Sequence, residues 1–117
     1  MGRLTAMVEP IEIKRGEIYD VDWGEEAGLH PALIIQNDIG NQRSDDTIVA
    51  YITHTIKDLP VLVNFKDHES GLGHGGSVDL GRIMTIPKSL LCDKRGHLSS
   101  LKMPQVKQAI QASLGID

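Results

Sequence analysis

Thr47-Ile48-Val49-Ala50-Tyr51-Ile52-Thr53 is the stretch from which the fold can be read. β-Branched side chains dominate it, and these pack best on a pleated surface, so the run reads as a strand. Upstream, Ala32-Leu33-Ile34-Ile35 is apolar without interruption, as expected of a strand covered on both faces. Pro31 just before it suits a strand's first residue, where a missing N–H matters least. Between the two runs, Asn37 to Asp46 (NDIGNQRSDD) is rich in turn formers and reads as a polar loop. Further out, Glu17-Ile18-Tyr19-Asp20-Val21-Asp22-Trp23 alternates. Tyr19, Val21 and Trp23 fall on one side and Ile18, Asp20 and Asp22 on the other, giving a strand with one buried face. Gly24 to Leu29 is the turn into the next strand. Residues 1–13 show no periodicity and read as a mobile arm, which leaves 14–117 as a single domain.

On the C-terminal side, Ile56 to Pro60 reads as a loop and Val61 to Phe65 as a strand. Lys66 to Gly76, with four glycines and two histidines, is loop with at most one helical turn. Ser77–Leu80 and Arg82–Ile86 read as two short strands kinked at Gly81. Pro87 to Leu91 suits one helical turn, and Cys92 stands at the start of a further strand. Met103, Val106, Ile110, Ser113 and Leu114 share one face at helical spacing, so a helix is expected over Ser100–Leu114 with Ser99 or Ser100 as its cap. About six strands followed by a helix predict a mainly β protein with a C-terminal α-helix, a small antiparallel barrel with the helix packed on it.

Composition narrows the function. With 117 residues, 40% hydrophobic and 24% charged, the chain can build a core and is no disordered tail. Twelve Lys/Arg against 16 Asp/Glu give a formal charge of −4, which excludes binding to nucleic acid by net charge alone. The single cysteine excludes a disulfide scaffold and a cysteine-based zinc site. No apolar run approaches the roughly 18 residues of a membrane span. The opening MGRLTAMVEP has too short an apolar stretch for a signal peptide, so a cytoplasmic location is expected. Only Tyr19, Trp23, Tyr51 and Phe65 are aromatic, so the core must be aliphatic and a base-stacking platform is not expected.

Five histidines (30, 54, 68, 74 and 97) are the obvious reactive groups. Their spacing matches no zinc pattern, so neither a metal nor another cofactor is expected. GLGHGG lacks the Lys-Ser/Thr of a P-loop and reads as a flexible loop. His30, before one buried strand, and Thr53, ending the next, share one rim if those strands are neighbours. An imidazole beside hydroxyls and a cation can perform acid–base attack on a phosphodiester, because imidazoles titrate within about a unit of neutral pH.

Longer stretches resemble one family. Lys14-Arg15-Gly16-Glu17-Ile18-Tyr19-Asp20-Val21-Asp22 is similar to the "RG-[DE]-[IV]-[YW]-x-V-D" opening of the MazF/PemK (NdoA-like) endoribonuclease toxins. His30-Pro31-Ala32-Leu33-Ile34-Ile35-Gln36-Asn37-Asp38-Ile39-Gly40-Asn41 resembles their "RPxLIIQNDxGN", and Thr47–Thr53 their "TVIVAAIT" strand. Leu59-Pro60-Val61, Ser77-Val78, Ile83–Ile86 and Gln111–Gly115 follow in the family's order. The resemblance implies a CcdB/MazF-type (SH3-like) barrel, a homodimer, and metal-independent, sequence-selective cleavage of single-stranded RNA, mRNA included. The 2′-hydroxyl attacks the adjacent phosphate, leaving 2′,3′-cyclic phosphate and 5′-hydroxyl ends. It also implies a cognate MazE-like antitoxin whose acidic tail occupies the RNA groove.

Site residues follow from the same resemblance. The family's catalytic threonine maps onto Thr53, and His30 stands where the motif has a catalytic arginine. Arg82, beside a one-residue gap near Gly81, or Arg43 supplies positive charge. Asn41, Gln42, Arg43, His54, Thr55 and Lys57 make up the expected RNA-binding set. The Gly24–Leu29 turn is shorter than the family's glycine-rich loop. Two readings are open for the arginine replacement. Imidazole moves protons more readily near neutral pH than a guanidinium, which favours retained cleavage. Loss of the bidentate phosphate contact favours a weakened member that only binds. A different class, a CcdB-like gyrase-binding toxin, shares the barrel fold and hydrolyses nothing.

Overall fold

The computed structural model describes residues 12–117. The expected arm at residues 1–13 thus falls almost wholly outside the described residues, and Ile13, assigned to it, is instead buried against Tyr19 and Val21.

Six antiparallel strands form one sheet: β1 (Glu17–Asp22), β2 (Leu29–Ile34), β3 (Asp46–Thr53), β4 (Leu62–Phe65), β5 (Gly76–Pro87) and β6 (Leu91–His97). Their spatial order is β4-β5-β3-β2-β1-β6. The strands at the two ends of this order do not pair, so the sheet curls without closing, a correction to the expected barrel within the same fold class. One edge is covered instead: the helix α2 (Met103–Leu114) packs on β4 and β5.

Both faces of the central strands are buried, which is why Ala32–Ile34 are apolar throughout. Ile18, Leu33, Ala50, Ile52, Val78 and Leu80 join Val106 and Ala109 of α2 in one cluster. Tyr19, Val21, Ala32, Ile34, Val49, Ile86 and Leu91 form a second on the opposite face. α2 starts later than expected, at Met103, with Pro104 in its first turn and no side-chain cap.

Two local readings change. The two short strands around Gly81 are one long strand, β5, whose register against β3 jumps from Ala50↔Ile83 to Tyr51↔Asp79. Leu80, Gly81 and Arg82 are left outside that ladder, and the Leu80 N–H turns to the Val61 carbonyl at 2.8 Å. Gly81 is therefore a bulge, as its position suggested. Second, the polar loop 37–46 contains a helix, α1 (Asp38–Arg43), capped by the Asn37 side chain, which accepts the Gly40 N–H at 2.8 Å. The strand expected at Cys92 is β6, which completes the edge beside β1 and is tied to it by Lys94–Glu17 at 2.8 Å and Arg95–Asp20 at 3.0 Å. Among the described residues no helix is long and apolar enough to cross a membrane.

Candidate active site at the rim of the sheet

β2 and β3 pair through Ala32↔Tyr51, Leu33↔Ala50 and Ile34↔Val49. The ladder ends at Ala32↔Tyr51, and His30 on β2 and Thr53 on β3 each stand two residues beyond it, at the open end of the hairpin. Residues two apart on a strand share a face, so His30 sides with Ala32 and Thr53 with Tyr51, and Ala32 is paired with Tyr51. His30 Nε2 lies 2.6 Å from the Ile52 carbonyl oxygen. A carbonyl oxygen only accepts, so Nε2 presents a proton there, and the neutral tautomer that fits this contact has its lone pair on Nδ1. The His30 carbonyl in turn accepts the Trp23 Nε1–H at 3.1 Å.

The His30 imidazole lies flat on Tyr51, with centroids 4.4 Å apart and planes 6° from parallel. The Arg82 guanidinium carbon is 5.2 Å from the centroid of the same tyrosine ring. Asp79 organises the bulge that brings Arg82 there, accepting the Gly81 N–H at 2.9 Å and lying 3.5 Å from Arg82 Nε. Trp23 closes the edge, 6.0 Å from Tyr51 at a 56° tilt. Arg82 is nonetheless mostly in solvent, its side chain 63% exposed.

Thr53 is half-buried, and its Oγ1 accepts the Thr55 N–H at 3.2 Å, which leaves the hydroxyl proton to donate outward. Thr53 pairs with Ser77 of β5. A Cβ at neighbouring Gly76 would stand 2.7 Å from the Thr53 carbonyl, so only glycine allows this close approach. His54, Thr55 and Lys57 are exposed in the loop that follows Thr53. The His54 ring meets that of His74, on the glycine-rich loop, at 4.5 Å.

The rest of the expected RNA-binding set lies elsewhere. Asn41 is 2% exposed. Its Oδ1 accepts from Thr47 Oγ1 at 2.8 Å and Gln36 Nε2 at 3.1 Å, and its Nδ2 donates to the Gln36 carbonyl at 3.0 Å. Its backbone carbonyl accepts from Lys88 Nζ. No part of its amide is left for a base edge, and its assignment as an RNA contact is corrected on that ground. Gln42 and Arg43 are exposed on α1, at the opposite end of β3 from Thr53, a strand length of roughly 23 Å at about 3.3 Å per residue. Within one protomer they do not join His30 and Thr53. Arg82, not Arg43, is the cation at the rim.

Asp38 in the first turn of α1 accepts the Arg15 N–H at 2.7 Å. That bond outweighs the opposing desolvation and, with lesser help from the Asn41 amide and the Lys14 and Arg15 charges, holds its carboxyl below the ordinary range. Tyr51 and Trp23 escaped sequence reasoning because few aromatics argued against a ring cluster. Strand alternation carried the signal, since Tyr51 and Thr53 fall on the same side of β3. Among the described residues no three or more His, Cys, Asp or Glu side chains converge as a metal site would require.

An open antiparallel sheet with a C-terminal helix, carrying a histidine–threonine rim, defines the class. Residues 14–114 match the PemK-like, MazF-like toxins of type II toxin–antitoxin systems, and the chain belongs to that family. It is 39% identical over 111 residues to Endoribonuclease EndoA of Bacillus subtilis (strain 168), covering 89% of this chain and 96% of that protein. Endoribonuclease MazF of Staphylococcus saprophyticus is 36% identical over 111 residues, covering 89% and 92%. A mycobacterial endoribonuclease, solved in complex with its cognate antitoxin, matches the fold with a TM-score of 0.81 at 28% identity, covering 90% of this chain and 97% of that one.

Proposed function

We propose that this chain is a toxin endoribonuclease that cleaves single-stranded RNA, mRNA included, at selected sequences without a metal, and that a cognate antitoxin neutralises it. The observation that carries the reading is the anchoring of His30 Nε2 on the Ile52 carbonyl, which leaves Nδ1 as a base at the strand end that also presents Thr53. In the reaction Nδ1 takes the 2′-hydroxyl proton, the O2′–P bond forms and the P–O5′ bond breaks. The products are a 2′,3′-cyclic phosphate and a 5′-oxygen that takes up a proton. RNA supplies its own nucleophile, so the protein need only move protons and hold charge. The Thr53 hydroxyl and Arg82 guanidinium meet the charge that builds on the phosphoryl oxygens. His54, Thr55 and Lys57 extend the contact along the strand of RNA.

Named endoribonucleases at 39% and 36% identity support the reading, and nothing in them favours the gyrase-binding alternative or a member that only binds. We further infer a cytoplasmic homodimer with an acidic, MazE-like antitoxin as partner. With a formal charge of −4, RNA binding rests on a few local cations, so its salt dependence is shallow.

Incubating the purified chain with mixed RNA in EDTA tests the proposal. Products ending in 2′,3′-cyclic phosphate and 5′-hydroxyl support it. Intact RNA, or cleavage restored only by a divalent metal, overturns it.

A further inference from the structure

We propose that Tyr51 is the positioning residue of this site, its ring holding the His30 imidazole in the plane and tautomer that the reaction uses. The inference rests on the reading of His30 as the base. A single hydrogen bond from Nε2 to the Ile52 carbonyl fixes one corner of the imidazole and leaves the ring free to swing about that bond. The flat contact with Tyr51, 4.4 Å between centroids and 6° from parallel, removes that swing. Together the two contacts define both the ring plane and the direction in which the Nδ1 lone pair points.

Strand order explains why the tyrosine itself holds still. β3 lies between β5 and β2, so Arg82 and His30 approach Tyr51 from opposite sides and the ring is sandwiched between them. Trp23 leans on its edge and also donates to the His30 carbonyl, tying the same backbone from β1's end. Among the described residues the Tyr51 hydroxyl makes no hydrogen bond within 3.5 Å, so the face of the ring is the part that acts. When Nδ1 takes a proton, the imidazolium that results lies on an aromatic face, an arrangement that attracts a cation. Among the described residues Arg82 lies over the tyrosine ring of this stack, and Asp79 lies beside Arg82.

The experiment compares the full-length protein with Tyr51→Phe and Tyr51→Ala. It measures kcat and KM on a defined RNA, the melting temperature, and the ring ¹⁵N resonances of His30. Tyr51→Ala is expected to lower kcat by about tenfold to a hundredfold, as small misplacements of a reacting group do, with KM nearly unchanged. In the same variant the ¹⁵N pattern changes from one Nε2–H tautomer to a mixture, and Tyr51→Phe restores both readouts. An alanine variant that keeps the wild-type tautomer and kcat, whether or not it melts lower, overturns the proposal, as does a phenylalanine variant that falls as far as alanine. If the wild type leaves RNA intact, the proposed function fails, and the tautomer readout alone then decides the role of Tyr51.

Discussion

The two ends of the β2–β3 hairpin differ in kind although their sequences look equally functional. At one end Gln36, Thr47 and Lys88 surround buried Asn41, and both the oxygen and the nitrogen of its amide already have protein partners. At the other end no described residue bonds His30 Nδ1, the Thr53 hydroxyl can donate, and Arg82 stands mostly in solvent. A polar cluster that is complete in itself builds structure, whereas one with spare donors and acceptors at a half-buried rim can do chemistry. The difference lies in unsatisfied capacity, which residue identity does not disclose.

The largest expected effect lies at the rim. His30→Ala should lower kcat for RNA cleavage by about a hundredfold to ten-thousandfold, the usual contribution of a positioned base, while the melting temperature changes little. Cleavage at the wild-type rate would break the division between the two ends. Next comes the opposite end. Asn41→Ala strands the Thr47 hydroxyl and the Gln36 amide and should cost about 2–3 kcal/mol, read from the urea midpoint, with kcat per folded molecule unchanged. A loss of activity without loss of stability would place Asn41 back among the RNA contacts.

Asp38 sharpens the comparison through pH. Because the Arg15 N–H lowers its folded pKa, the folded chain releases this proton more readily than the unfolded chain. The stabilisation is therefore complete above the ordinary carboxylate range and is lost as pH falls through the lowered folded value. Asp38→Asn should flatten the acid limb of stability, measured by denaturant melts from about pH 5 downward, without altering cleavage at neutral pH. An unchanged acid limb would count against the Arg15–Asp38 bond. The smallest effect is expected from Gln42→Ala with Arg43→Ala, which should leave kcat/KM as in the wild type. A fall matching that of Lys57→Ala would show that RNA reaches α1.

Much of the fold was legible. Alternation and β-branched runs mark β1 to β4, and the helical spacing of Met103, Val106 and Ile110 marks α2. α1 was not legible, because six residues containing Gly40 and introduced by Asn37 carry turn chemistry. They form a helix because Asn37 caps Gly40 and Asn41 is pinned beneath by Gln36 and Thr47. β6 was only half legible, since an exposed edge strand held by Lys94–Glu17 and Arg95–Asp20 shows charge rather than hydrophobic period. At the site His30 and Thr53 were named from strand position and, with Arg82, from resemblance, but Tyr51 beside them was not.

By itself the sequence determined which segments are strands, which face of α2 is apolar, and which side chains can carry a proton, because these depend on period and on chemical type. Only the tertiary structure decided that the Asn41 amide is consumed internally while no described residue bonds His30 Nδ1. The reason is that hydrogen-bond satisfaction depends on the partner brought across from β2, β3 or β5, and those partners are distant along the chain.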